Sequence, residues 1–171
     1  MKSFLSLLSL CLLLASGSAF AAIADTTSPG DFQDTVDWCQ FGCAGAQFAT
    51  PQSWTSGAGA TGQVGLDGTG QGFYNLQQGT SWNGNFPANM GLIYNGSQFE
   101  NTPTGITVTF DSGAYGAGAY IQSNIWGAYT ATVELFDSSF QPIGSYTAGG
   151  VATGGGGPPV ALFIGMLDSN P

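Results

Sequence analysis

The chain has 171 residues, of which 43% are hydrophobic and 13% aromatic but only 6% charged, and its formal net charge is −9. One Lys or Arg and no His stand against ten carboxylates. Nucleic acid and anionic membrane surfaces are therefore poor partners, because neutralising phosphate requires Lys or Arg. Serine–histidine and cysteine–histidine nucleophiles, lysine Schiff bases and phosphate clamps fail for want of the same side chains.

Lys2, the apolar run 4–14 and Ala19-Phe20-Ala21 have the order of a secretory signal peptide, residues 1–21, cut after Ala21. The run is too short for a stable membrane span, and an uncleaved anchor is the alternative. Cleavage leaves about 150 residues, enough for one domain that buries roughly two-thirds of its surface. It also removes the only cation, so the mature chain forms no side-chain ion pair and relies on apolar burial and hydrogen bonds. The 28 glycines, the many Thr, Ser, Asn and Gln residues and the aromatic content predict an all-β fold rather than disorder. No stretch supports an amphipathic helix.

Residues 22–31 read as a flexible leader with Pro29-Gly30 as a turn, and residues 32–171 as the folded domain. Residues 34–41 alternate Val36, Trp38 and Gln40 against Asp37, Cys39 and Phe41, which predicts a first strand. Cys11 leaves with the signal peptide. Cys39 and Cys43 form an even pair in an exported chain, for which a disulfide is the default and free thiols the alternative. Two thiols without a His fall short of a tetrahedral zinc site. Residues 47–50 are extended up to Pro51, and 56–62 form a flexible connection. Residues 63–66 and 72–76 flank Asp67-Gly68, which predicts a hairpin.

Residues 77–104 are dense in Asn, Gln and Gly, with Trp82, Phe86, Tyr94 and Phe99 interspersed and a short strand at 90–94. Beyond them Ile106, Val108 and Phe110 alternate with Thr107 and Thr109. Residues 113–137 predict a core hairpin, its second strand putting Tyr129, Ala131, Val133 and Leu135 on a dry face against Thr130, Thr132 and Glu134 on a wet one. A strand at 143–147 follows, then a low-complexity loop at 149–159. The apolar run 161–167 predicts a strand buried on both faces. Nine or ten short strands with turn signals between them favour a two-sheet antiparallel sandwich.

Gly116, Gly118, Tyr120, Ile121, Thr130, Thr132, Val133, Phe136, Asp137, Gly144, Phe163, Ile164 and Gly165 together carry a resemblance. This part of the chain resembles the jelly-roll domain of secreted bacterial surface proteins with a PEP-CTERM sorting signal, which are similar to galactose-binding-like sandwiches. The resemblance implies export to the cell surface or matrix and a sugar-binding type of fold. The family pattern continues into further strands and a Pro-Glu-Pro sorting segment, whereas this sequence ends at Asn170-Pro171. A truncated sequence is therefore expected, with 161–167 beside an open edge prone to pairing.

Three kinds of chemistry remain. A glycosidase carboxylate pair would draw on Glu100, Glu134, Asp111 and Asp137, but Glu134 shares a wet strand face with two threonines, so a non-catalytic protein is expected. A structural calcium would draw on Asp25, Asp31, Asp34 and Asp37, whose spacing matches no calcium loop; a solvated acidic leader is the plainer reading, and no cofactor is expected. Glycan binding would use an aromatic platform with amides around it, for which Trp82, Asn83, Asn85, Tyr94 and Gln98 are the candidates. The same aromatics also serve to pin a long loop onto the sandwich. The sequence thus predicts an exported, non-catalytic sandwich that binds extracellular polysaccharide or cell-surface glycans, or a structural surface protein with no ligand.

Overall fold

A computed structural model describes residues 23–43, 45, 47–66, 73–95, 105–153 and 161–168. The signal-peptide segment, the Asp67-Gly68 turn, Phe99, Glu100, Gln98 and the glycine-rich residues 154–159 lie outside the described residues. The fold is an all-β antiparallel sandwich. Its eleven described strands are β1 (Ile23–Thr26), β2 (Gln47–Phe48), β3 (Gln52–Thr55), β4 (Thr61–Leu66), β5 (Phe73–Gln77) and β6 (Gly91–Tyr94), followed by β7 (Ile106–Phe110), β8 (Gly116–Ile121), β9 (Gly127–Phe136), β10 (Pro142–Ala152) and β11 (Leu162–Asp168). Hydrogen bonding groups them into four ladders, β1-β11-β8, β10-β9, β2-β5-β6 and β3-β4-β7.

One core lies where the β3-β4-β7 and β2-β5-β6 ladders meet. Trp54, Val64 and Phe73 are fully buried there, with Val36, Trp38, Phe41, Phe48, Ala60 and Ile93 packed around them. Residues 34–41 supply those side chains without forming the expected strand. Trp38–Phe41 is instead a 3-10 turn, because the Asp37 carboxylate accepts from the Cys39 N–H at its start and Gly42, at φ 96°, ends it. The apparent alternation there is a coincidence of one tight turn. Cys39 and Cys43 close it as a disulfide, with Cα atoms 5.0 Å apart. Gly62 lets Trp54 lie flat across β4: a Cβ at Gly62 would drive into the Thr109 carbonyl oxygen and reach Trp54 Cζ2 at 2.7 Å.

The hairpin expected around Asp67-Gly68 does not form. β4 pairs with β3 and β7, while β5 pairs with β2 and β6. On β7, Ile106, Val108 and Phe110 share the inward side with Val64, but they remain 45%, 36% and 39% exposed because β7 is the edge of its ladder.

The second core is built on β11. Ile164 and Met166 are buried on one face, and a Cβ at Gly144 of β10 would meet Met166 Cε at 2.7 Å. On the opposite face Phe163 meets Phe32 and Tyr120, at centroid separations of 5.6 and 5.0 Å. Burial on both faces matches the apolar run. The expected open edge beside it is filled, because β1 pairs with β11 from Ile23↔Asp168 to Thr26↔Gly165. The segment predicted as a flexible leader therefore contributes a strand.

The predicted hairpin at 113–137 also divides. β8 pairs with β11 and β9 with β10. The five residues 122–126 between them are irregular and carry the chain from one ladder to another, where a tight hairpin needs a short loop with positive-φ residues. The alternation within β9 holds: Tyr129, Ala131, Val133 and Leu135 are buried or half-buried, and Thr130, Thr132 and Glu134 exposed. The Tyr129 hydroxyl donates to the Ile121 carbonyl at 2.7 Å, linking the two ladders. β10 runs on through Ala152, so the first part of the expected glycine-rich loop is strand.

The two glycines of β4 separate packing from backbone effects. Gly62→Ala should lower stability by about 3 kcal/mol or more through overpacking. Gly65→Ala, whose Cβ meets nothing within 4 Å, should stay within about 1 kcal/mol of the parent. Urea unfolding measures both.

Candidate functional site

The amide-rich segment after β5 folds on itself. The Gln77 carbonyl accepts from the N–H groups of Thr80, Ser81 and Trp82, giving a tight turn that returns Trp82 beside Gln78. The Gln78 side chain then clamps Gly84, donating to its carbonyl at 2.8 Å and accepting from its N–H at 3.2 Å. Gln77 Nε2 donates to the Asn89 carbonyl at 3.2 Å. Several amides that give this stretch its polar composition are thus engaged in holding the loop.

Asn85 joins the loop to the rest of the fold. It is 2% exposed, and its Oδ1 accepts from Thr153 N–H (3.2 Å), Thr153 Oγ1 (3.0 Å) and Gln122 Nε2 (3.3 Å). Its own N–H donates to Gln122 Oε1 at 2.8 Å, and its carbonyl accepts from the Ala161 N–H at 2.9 Å. The ends of β8 and β10 and the start of β11 all meet at this one residue.

Above that joint lies a half-open cleft of about 210 Å³. Trp82 and Asn83 enter it from the loop, Gln122, Asn124 and Trp126 from the β8–β9 connection, and Thr153 from the end of β10. Trp126 is 77% exposed. Behind Trp82 sits Tyr94, with centroids 5.8 Å apart, and the Tyr94 hydroxyl accepts from Asn124 Nδ2 at 2.9 Å. Gly84 makes room for the indole, since a Cβ there would collide with Trp82 Nε1 and come within 3.0 Å of Gln122 Oε1. Trp82 Nε1 and Asn85 Nδ2 are buried donors with no protein partner among the described residues. Such a group costs about 1–3 kcal/mol unless water or a ligand supplies an acceptor.

Of the five sequence-predicted residues, Trp82 and Asn83 line the cleft, Tyr94 backs it and Asn85 holds its frame; Gln98 lies outside the described residues. Sequence reasoning missed Gln122, Asn124, Trp126 and Thr153. The signal is present in Gln122-Ser123-Asn124-Ile125-Trp126, which repeats the amide-plus-aromatic composition of the loop but lies within the predicted hairpin 113–137.

The acidic residues go to separate local tasks. Asp31 accepts from Thr26 Oγ1, Asp37 caps its 3-10 turn, and Asp25 lies in β1. Asp34 accepts from Ser56 Oγ and from the N–H groups of Ala58 and Thr35 at 2.8 Å. Asp111 accepts from Thr61 Oγ1 at 2.8 Å, and Asp137 Oδ1 accepts from Ser139 and Gln141 in the β9–β10 turn. Glu134 is exposed on β9, opposite Ser145. Among the described residues no three His, Cys, Asp or Glu side chains gather as a metal-binding group. No protein-family model, curated protein or solved structure matches this chain.

Asn85→Ala strands the donors of Thr153 and Gln122 and should cost about 2–3 kcal/mol, whereas Trp126→Ala should change stability by about 0.5 kcal/mol or less, both read by thermal unfolding. The Ser56 hydroxyl, and then the Ala58 N–H, hold the Asp34 carboxyl below its usual range, against a smaller opposing effect of burial. A lowered folded-state value adds stability above the usual carboxylate range, and that stability is lost as pH falls through the lowered value. The stability gap between the parent and Asp34→Asn should accordingly close as pH drops below about 4; a gap that stays constant would show that these bonds do not act through the carboxylate.

Proposed function

We propose that this protein is an exported, non-catalytic β-sandwich of a bacterial cell surface or extracellular matrix, and that it binds polysaccharide or cell-surface glycans in the Trp82–Trp126 cleft. The observation that carries this reading is the convergence of two indoles with Asn83, Gln122, Asn124 and Thr153 around one concavity. Indole faces pack against the C–H face of a sugar ring, and amides and hydroxyls answer its hydroxyl groups in both senses, donor and acceptor. Export and surface location rest on the signal-peptide pattern of residues 1–21 and on the resemblance to sorted surface proteins. The non-catalytic reading rests on the lining, which among the described residues contains no carboxylate, whereas glycoside hydrolysis uses a flanking pair.

A second reading, a structural surface protein without a ligand, draws support from Tyr94, whose ring behind Trp82 explains that indole as a loop anchor. It offers no account of Trp126, which stands 77% exposed at the cleft.

An array of polysaccharides probed with the mature domain tests the proposal. Binding to at least one glycan is expected, and Trp126→Ala should weaken it about tenfold or more with an unchanged circular-dichroism spectrum. A folded protein that retains no glycan overturns the glycan-binding reading in favour of the structural one.

A further inference from the structure

The cleft's chemistry narrows what it can hold. Among the described residues every side chain lining it is uncharged, with two indoles, amides and hydroxyls and neither a carboxylate nor a cation. The whole chain adds ten carboxylates against one Lys or Arg. An anionic polymer would approach through a repulsive field, and its carboxylate or sulfate would lose water in the cleft without an Arg or Lys to replace it. A cationic sugar would gain from the general field but find no carboxylate at the site. A neutral hydroxyl meets neither penalty, since amides serve it as both donor and acceptor.

Size points the same way. The cleft, at about 210 Å³, is below the roughly 300–1,000 Å³ typical of pockets for drug-sized ligands. It suits one sugar ring, with the rest of a chain outside. Asn83 is exposed, and its amide is open to a ligand.

We infer that the cleft recognises a single uncharged pyranose unit of a neutral glycan and discriminates against uronate and sulfated sugars. The inference rests on the glycan-binding reading above and specifies the ligand class. Discrimination comes from an uncharged lining set in a polyanionic protein, and affinity from apolar stacking and neutral hydrogen bonds. Such binding carries no Coulomb component for salt to screen.

Calorimetric titration of the mature protein tests this with three probe sets: neutral gluco-, manno- and galacto-oligosaccharides, oligogalacturonate, and sulfated galacto-oligosaccharides. At least one neutral series should bind about tenfold more tightly than both anionic series. Its affinity should stay within about twofold between roughly 50 and 500 mM salt, and should level off beyond the shortest oligomers. Trp126→Ala and Asn83→Ala should each weaken it. Tighter binding of an anionic oligomer, a strong salt dependence, or a steep rise with chain length would overturn the inference while leaving glycan binding intact. Parent-like binding by both variants would move the sugar away from this cleft and also overturn it. If a folded protein binds none of the probes and no glycan on the array, the glycan-binding reading falls and takes this one with it.

Discussion

Asn85 is the joint on which the upper end of this sandwich depends. One buried amide oxygen accepts from the β10 terminus and the β8 terminus, while the same residue's backbone bonds to the start of β11 and to Gln122. Buried polar groups must be satisfied, and a multiply bonded one defines geometry more sharply than apolar contact does. Three chain ends, two from the β1-β11-β8 ladder and one from the β10-β9 ladder, are thus held within hydrogen-bond reach of one loop. The cleft is the space left above that joint, and its shape follows from which strands end there.

The near absence of cations makes this mode of construction general. A chain with one Lys or Arg cannot bind its carboxylates in ion-pair networks, so they become caps and clamps. Asp37 caps a 3-10 turn, Asp137 organises the β9–β10 turn, and Asp34 draws Ser56 and Ala58 together across more than twenty residues. Amides do the same work in the loop, where Gln77 and Gln78 hold the backbone that presents Trp82. Among the described residues, side-chain-to-backbone bonds of this kind order a loop whose composition reads as polar and irregular.

The cleft was legible in half. Trp82 and Asn83 stood out because a long aromatic, amide-rich stretch in a compact domain invites a functional reading. Trp126 did not, because it lies inside residues 113–137, whose pattern predicts one core hairpin. The alternation in β9 reports correctly which side chains face inward, but it contains nothing about the neighbouring strand. The reading of 34–41 failed for a related reason, since over eight residues one tight turn can imitate a strand's alternation when its aromatics reach the core from different directions.

What the sequence by itself determined is local and compositional: an all-β chain, the faces of β9, the doubly buried β11, the Cys39–Cys43 pair and a surface with almost no positive charge. These follow from side-chain chemistry and from the two-residue period of a strand, which act at short range. Only the tertiary structure decided that Ile23–Thr26 covers the edge of β11, that β8 and β9 part company, and that Trp126 lines the same cleft as Trp82. Strand pairing is made by backbone groups common to every residue. Which strands pair is therefore settled by how all the buried faces fit together, and no stretch of sequence carries that information alone.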